Sequence, residues 1–178
     1  MSQTVTGTQA PAAIGRIDGN TKYASQDFVV ASGITVNAGD FVYFSSGTIT
    51  NATVEGARLI GMVEGGSVNP IVGTATGTVT ATVCVDPLMR YLIETDGAIA
   101  SVSNGVSSDV GQYYNLLGTT GAQQIDHDQQ STTLGQFLLL TVPGQTGFPA
   151  IGLQGLTANR YGIYLLVNSF LNPYVAAS

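Results

Sequence analysis

The only histidine of the chain lies between two aspartates, in the segment Asp126, His127 and Asp128. This segment could form part of a Ser–His–Asp triad, but no G-x-S-x-G motif supplies the nucleophile. A zinc site needs three or four ligands, and one histidine and one cysteine do not provide them. The two aspartates offer oxygen ligands for calcium, but no EF-hand loop pattern surrounds them. Because residues 122–133 are polar, we predict a solvated loop and assign no catalytic or metal-binding residue here.

Four further carboxylates, Asp86, Glu94, Asp96 and Asp109, are the remaining candidates for acid–base chemistry. Paired carboxylates hydrolyse glycosides when they flank the scissile bond. Asp86 precedes a proline and Asp96 precedes a glycine, a context typical of turns. The chain lacks tryptophan, the aromatic platform that sugar clefts commonly present. We therefore predict that the protein is not an enzyme.

Cys84 is the single cysteine, so no internal disulfide and no multi-cysteine metal site can form. An isolated cysteine usually behaves as a small core hydrophobe, and we expect that role here. A reactive thiol would need cationic groups close by, and the nearest in sequence is Arg90. Glycine-rich nucleotide-binding motifs are also absent. No cofactor and no metal are expected.

The charge of the chain points to an assembled protein. Only 9% of the residues are charged, whereas the surface of a soluble monomer carries roughly 25–35% charged residues. A neutral surface associates readily and suits a chain whose exterior is covered by neighbours. The net charge of −6 and the dispersed cations argue against nucleic acid as a partner. The cations are Arg16, Lys22, Arg58, Arg90 and Arg160.

The sequence shows no signal for export or membrane insertion. Residues 1–13 are polar and lack the apolar region of a signal peptide. Near the other end, the longest apolar run is 163–167, which is far shorter than a membrane span. We expect synthesis in a cytoplasm and no membrane partner.

The elements that must position these residues are predicted to be strands. The 23 glycines interrupt every candidate helix, and short strand signals recur between turn signals. The pattern predicts an all-β fold, with an antiparallel β-barrel or β-sandwich core, an extended N-terminal arm and a docked C-terminal tail. Strands are predicted at 14–17, 23–31, 34–36, 41–44, 48–53, 58–64, 74–85, 89–95, 99–102, 113–116, 134–142 and 161–168.

The segment Thr74–Val85 has the clearest strand pattern. Threonine alternates with small apolar residues at nearly perfect period 2, so one face is threonine and the other faces a core. The segment contains no charged residue that would oppose pairing with the edge strand of another sheet. We therefore predict a central position in a sheet or a position at a subunit interface.

The chain divides into three parts by composition. Residues 1–13 form the predicted flexible arm, 14–168 the β-rich domain and 169–178 the C-terminal tail. A division of the domain into two subdomains near 66–73 or 97–106 is an alternative. The segment 143–159 is predicted to be an ordered loop that packs its apolar side chains on its own domain or on a partner.

Contacts with other subunits or with a capsid are expected from the arm, the apolar loop and the apolar tail. Arg90 and Arg160 each precede a tyrosine, a pair that occurs in interfaces but also at ordinary strand edges. The predicted interface residues are Thr4, Val5, Pro11, Phe148, Ile151, Leu153, Phe170, Leu171 and Tyr174.

The segment Ile34–Gly66 resembles head decoration proteins, also called cement proteins, of tailed bacteriophages. A Val/Ile-rich strand leads into A-G-D, an apolar strand, a glycine turn, a Thr/Ala-rich stretch and a closing element rich in glycine. Asp109–Leu116 and Gly135–Val142 are similar to the second half of such proteins. The resemblance implies a β-rich trimer that binds three-fold or quasi-three-fold positions of a capsid.

This resemblance implies a structural virion protein that binds the outer capsid surface and stabilises the shell by bridging neighbouring capsid subunits. The implied partners are the major capsid protein and two further copies of the chain in a homotrimer, and the implied location is the capsid exterior. A phage tail or baseplate structural protein and a carbohydrate-binding adhesin module are alternatives. A small hydrolase that uses Asp126 and His127 is a third.

Overall fold

The computed structural model describes residues 11–52, 58–66, 69–131, 135–149 and 160–167. In these ranges the chain forms antiparallel β-sheets and no α-helix, which confirms the predicted all-β class. The strands are β1 (Ala12–Arg16), β2 (Ser25–Val29), β3 (Thr35–Val36), β4 (Phe41–Ser45), β5 (Thr48–Asn51), β6 (Leu59–Gly65), β7 (Ile71–Val72), β8 (Thr80–Cys84), β9 (Met89–Glu94), β10 (Tyr113–Leu117), β11 (Gln124–Ser131), β12 (Phe137–Thr141) and β13 (Tyr161–Leu166).

The larger sheet has six strands in the order β1-β9-β13-β12-β10-β11. Every neighbouring pair is antiparallel. The inner strands β9 and β13 run in continuous register from Tyr161 opposite Glu94 to Leu165 opposite Arg90. Strands β1 and β11 are the edges of this sheet.

A second sheet has five strands in the order β2-β8-β6-β4-β5, and β3 pairs with β7 in a separate two-stranded sheet. The chain passes from the five-stranded to the six-stranded sheet at residues 85–88. Strand β1 is the exception, because it precedes β2 in sequence but belongs to the six-stranded sheet. It begins at Ala12, within the range assigned to the arm.

The two larger sheets share one hydrophobic core. The Phe41 ring of β4 makes edge-to-face contacts with Tyr91 of β9 and Phe137 of β12, with centroid distances of 5.0 and 4.8 Å. All three side chains are fully buried and belong to one cluster that contains residues of both sheets. Edge-to-face aromatic pairs add stabilisation beyond the area that they bury. A core shared between two faces in this way is the arrangement of a β-sandwich.

Each larger sheet also has apolar side chains on its outer face. Val42, Ile60 and Val83 of the five-stranded sheet pack with Val36 and Ile71 of the two-stranded sheet. On the six-stranded sheet a smaller cluster is buried and is contacted by Ile14, Leu140 and Phe148. The cluster consists of Leu92, Tyr161 and Ile163.

A closed barrel, the other architecture that the sequence allowed, is not found in the described residues. The six-stranded sheet curls until Thr95, after β9, forms a parallel bridge with Ile125 of β11. This bridge is isolated and does not continue as a ladder. Among the described residues the sheet therefore stays open, with β1 and β11 at its edges.

The segment predicted as one long strand at 74–85 is a strand only at Thr80–Cys84. Residues 74–77 form an exposed turn, closed by a hydrogen bond from the Gly77 amide to the Thr74 carbonyl (3.0 Å). Gly77 has a φ of +65°, which glycine adopts without strain. The prediction of a central position is confirmed, because β8 lies between β2 and β6. Ala81 and Val83 are buried as predicted, in the cluster between the five-stranded and the two-stranded sheet.

Two other predictions of local structure are wrong. Residues 122–133 were expected to form a loop, but 124–131 form β11. This strand is polar because it is an edge strand, in which Ile125 faces the core and Gln129 and Gln130 are exposed. Residues 99–102 were expected to form a strand, but side chains of the loop 107–109 bind the backbone of Ala100 instead.

Candidate interaction surface

Three of the residues that could do chemistry, His127, Asp96 and Asp109, are joined by hydrogen bonds. The histidine side chain lies on β11 and is largely buried, not solvated as the sequence indicated. Its Nε2 lies 3.0 Å from Oδ2 of Asp109, and its ring stacks on Tyr114 at 5.9 Å with planes 20° apart. Its backbone amide donates to Oδ1 of Asp96 (2.8 Å). The histidine is thus held by a carboxylate and an aromatic ring.

Asp109 joins this network to the loop that precedes β10. Its Oδ2 accepts a hydrogen bond from the Ala100 amide (2.7 Å) in addition to the contact with His127. Burial raises the pKa of Asp109, but the hydrogen bonds from Ala100 and His127 outweigh that effect and hold the pKa below its ordinary value. The carboxylate therefore acts as a charged acceptor that ties β11 to this loop.

The serine hydroxyls closest to Asp109 in sequence are engaged with groups other than the histidine. Ser107 donates to the carbonyl of Ala100 (2.8 Å), and Ser108 lies 3.4 Å from Oδ1 of Asp109. A triad requires the hydroxyl on the histidine and the carboxylate behind it. In the described residues the Nε2 of His127 instead contacts the carboxylate of Asp109, and no three His, Cys, Asp or Glu side chains come together as a metal-ligand group.

Asp86 has a structural role at the crossing between the two larger sheets. Its side chain is buried and forms an ion pair with Arg16 at the end of β1. Its carboxylate also accepts from the amides of Leu88 (2.9 Å) and Ala24 (3.3 Å). Because these partners belong to β1, the turn before β9 and the start of β2, one carboxylate fixes three segments.

Cys84 is buried in the core, which confirms its predicted role as a small hydrophobe. Burial raises the pKa of its thiol, and the Tyr91 hydroxyl lies 3.8 Å from the sulfur. A buried thiol with a raised pKa is a poor nucleophile.

The described part of the chain contains two of the predicted interface residues. Pro11 is buried directly before β1, and Phe148 is half-buried against the outer cluster of its own six-stranded sheet. Their contacts with a partner remain a prediction. The others lie outside the described residues: Thr4, Val5, Ile151, Leu153, Phe170, Leu171 and Tyr174.

The two Arg–Tyr pairs differ in their surroundings. Arg160 donates to the carbonyl of Thr95 from Nε (3.1 Å) and Nη2 (2.9 Å), so its guanidinium fastens the end of β9. Arg90 donates from Nε to the carbonyl of Gly15 (3.2 Å) and is half-buried on β9. Among the described residues Arg90 has no carboxylate within ion-pair distance.

A groove of about 420 Å³ lies beside β1 and contains Arg90. Strand β1 bounds one side, and the loop that returns the chain towards β2 bounds the other. This loop is ordered by side-chain hydrogen bonds to the amides of Asn20 and Lys22, both 3.0 Å long. The lining residues are Ala13, Ile14, Gly15, Arg16, Gly19, Asn20, Thr21, Tyr23, Met89 and Arg90.

Large apolar side chains are exposed at and near this groove. Ile17 and Tyr23 are each 49% exposed, and Leu88 is 37% exposed. The Ile17 amide donates to the Leu88 carbonyl (2.8 Å), so these two side chains lie at the same end of the six-stranded sheet. Interaction with the Glu64 carboxylate raises the pKa of the Tyr23 hydroxyl. Clustered exposed apolar groups mark interaction surfaces.

The four edges of the two larger sheets differ in how they resist pairing with another chain. Edge strand β11 carries Asp126 and Asp128, and β2 carries Asp27. Edge strand β5 is tied to the loop before β11 by a hydrogen bond from the Asn51 side chain. Strand β1 has only Arg16, whose charge is paired with carboxylates of its own chain. Because charges on an edge discourage pairing, β1 and β5 are the two edges least protected by charge. Part of the β5 edge is occupied by a bridge between Ile49 and Val30, whereas β1 has a bulge between Ala13 and Gly15.

Sequence reasoning missed Ile17, Tyr23 and Leu88. Ile17 and Tyr23 lie at the ends of two predicted strands and Leu88 lies between predicted strands, so no single local pattern groups the three. The available signal was a large apolar residue in a turn, such as Leu88, which directly follows Asp86 and Pro87.

The chain matches no protein-family model, no curated protein and no solved structure. Among the residues that the structure describes, none belongs to a helix with the length and apolar character of a membrane span.

Proposed function

We propose that the protein is a structural component of a tailed-bacteriophage virion that binds the outer capsid surface and stabilises the shell by bridging neighbouring capsid subunits. The observation that carries the proposal is the weakly protected edge strand β1, with exposed Ile17, Tyr23 and Leu88 nearby, in a chain with only 9% charged residues. Such a surface favours lasting contact with other proteins. The kind of particle, a tailed-bacteriophage virion, is inferred from the resemblance of residues 34–66 to decoration proteins.

The mechanism is passive binding by several contacts at once. The β-core lies over a junction between capsid subunits as a homotrimer, and its partner is the major capsid protein. The arm, with Thr4 and Val5, and the tail, with Phe170 and Tyr174, extend the contact area. Linked contacts raise the overall affinity through effective concentration, so each contact can be weak by itself. The shell then opens only when many contacts break together.

Two measurements test this proposal. Light scattering of the purified chain should give the mass of a trimer, and the chain should co-sediment with expanded capsids that lack decoration. A stable monomer at micromolar concentration that remains in the supernatant would contradict the proposal. Immunogold labelling of whole particles separates the head from the tail or baseplate.

A further inference from the structure

We propose that the groove beside β1 binds an extended segment of the partner protein, which pairs with β1 as an added strand and places a carboxylate against Arg90. This inference deepens the proposed function. It rests on that function for the identity of the partner but not for the chemistry of the contact.

The free edge of β1 supplies the backbone for this pairing. Within the described residues β1 pairs on one side only, with β9. Its exposed Ala13 and half-buried Ala12 and Ile14 leave little side-chain bulk in the way of an incoming strand. Peptides that extend a sheet edge gain affinity from main-chain hydrogen bonds and specificity from pockets for alternate side chains.

Arg90 supplies the charge that selects the partner. Its guanidinium lines the groove and uses Nε to bond the Gly15 carbonyl, which fixes its position beside β1. Arg16, the other cation that lines the groove, is paired with Asp18 and Asp86. Arg90 is therefore the cation that can take a carboxylate from outside, in a chain whose net charge of −6 repels acidic segments elsewhere.

Tyr23 supplies an apolar wall. The ring is half-exposed and lines the groove, so a partner segment can pack against it. An aromatic side chain offers a large contact area with few rotatable bonds to order on binding. The best partner segment is thus an extended one in which apolar residues alternate with threonine around one acidic residue.

The test is titration of the 15N-labelled full chain with the peptides acetyl-TVEVTV-amide, acetyl-TVQVTV-amide and acetyl-TVKVTV-amide, followed by NMR. The Glu peptide should shift the amide signals of Ala12–Ile17 and Arg90. It should bind about two- to fivefold tighter than the Gln peptide, the factor of an exposed ion pair, and the Lys peptide should bind most weakly. Arg90→Gln should remove the preference for Glu.

Two matched variants separate edge pairing from charge. Ala13→Lys places a charge on the exposed edge and should weaken binding of the uncharged Gln peptide. Ala75→Lys makes the same change in the exposed turn after β7 and should leave binding unchanged. Shifts away from β1, equal binding of the Glu and Lys peptides, or full binding by Ala13→Lys would overturn the inference.

Particle binding distinguishes this inference from the proposed function. If Ala13→Lys loses peptide binding but still binds capsids fully, the strand contact is wrong and the virion role stands. If the peptides bind as expected but the chain does not bind capsids, the virion role is wrong and the assignment of the groove as a peptide-binding site is supported. Concentration-dependent self-association that Ala13→Lys abolishes would identify a second copy as the occupant and overturn the choice of partner.

Discussion

Replacing Gln123 by alanine should lower the free energy of unfolding by about 3–5 kcal/mol. The side chain is fully buried between the two larger sheets. Its Oε1 accepts from the Phe41 amide (2.6 Å), and its Nε2 donates to the carbonyls of Phe41 (3.1 Å) and Ala52 (3.0 Å). Truncation leaves the Phe41 amide and the Ala52 carbonyl without these partners, whereas the Phe41 carbonyl keeps the Ala52 amide (3.0 Å). Each buried unsatisfied group costs about 1–3 kcal/mol, and the cavity adds to this. Partial entry of water keeps the total below the full sum.

Urea unfolding followed by far-UV circular dichroism measures this loss. Gln123→Met keeps most of the volume but removes the hydrogen bonds, so most of the loss should remain. Gln130→Ala, on the exposed part of β11, is the matched control and should change stability by no more than about 0.5 kcal/mol. If both Gln123 variants lose less than about 1 kcal/mol, which is the net value of a single hydrogen bond, the assigned role of this glutamine is refuted.

Three further predictions concern acid stability, the sheet crossing and the arm. Because the pKa of Asp109 is lowered in the folded state, its contribution to stability is present above about pH 4 and is lost as the pH falls through the folded pKa. Asp109→Asn should therefore reduce the loss of Tm between pH 4 and pH 2 in scanning calorimetry, and an unchanged pH profile would contradict this. Asp86→Asn removes the charge that faces Arg16 and should lower Tm by several degrees, whereas exposed Asp128→Asn should not; equal Tm values would refute the crossing role. Deletion of residues 2–10, which stops before β1, should preserve the circular dichroism spectrum and weaken capsid co-sedimentation; undiminished binding would exclude the arm as a contact.

Most strands were predictable because they combine period-2 alternation with turn residues. The turn at 37–40 is an example: Asp40 Oδ2 accepts from the Asn37 amide (2.8 Å), as its position before an apolar strand indicated. The second contact of the same carboxylate, from the Gly121 amide (2.7 Å), joins residues 81 positions apart. Burial raises the pKa of Asp40, and no local pattern indicated that this acidic turn is buried.

The strand β11 shows why pattern alone failed in one region. Its composition is that of a loop, and its pairing with β10 depends on a neighbour that the local sequence does not reveal. The contact between His127 and Asp109 depends on the same pairing, because the two residues are 18 positions apart. Pairing with β10 therefore makes an edge strand of a segment whose composition is typical of a solvated loop.

The groove beside β1 was not predictable for a similar reason. Arg90 and Tyr23 become neighbours only when β1 crosses to the six-stranded sheet, and that crossing is fixed by the pair of Arg16 and Asp86. The low charge of the chain indicated that a surface would be covered, and our proposal assigns that surface to the edge strand β1, whose single charge is paired within its own chain.

A cryo-EM map of the phage particle tests the central claim most directly. The account predicts density for this chain on the outer capsid surface at three-fold or quasi-three-fold junctions, with the β1 edge towards a neighbouring protein. Density confined to the tail or baseplate, or a head without density for this chain, would contradict the proposed function.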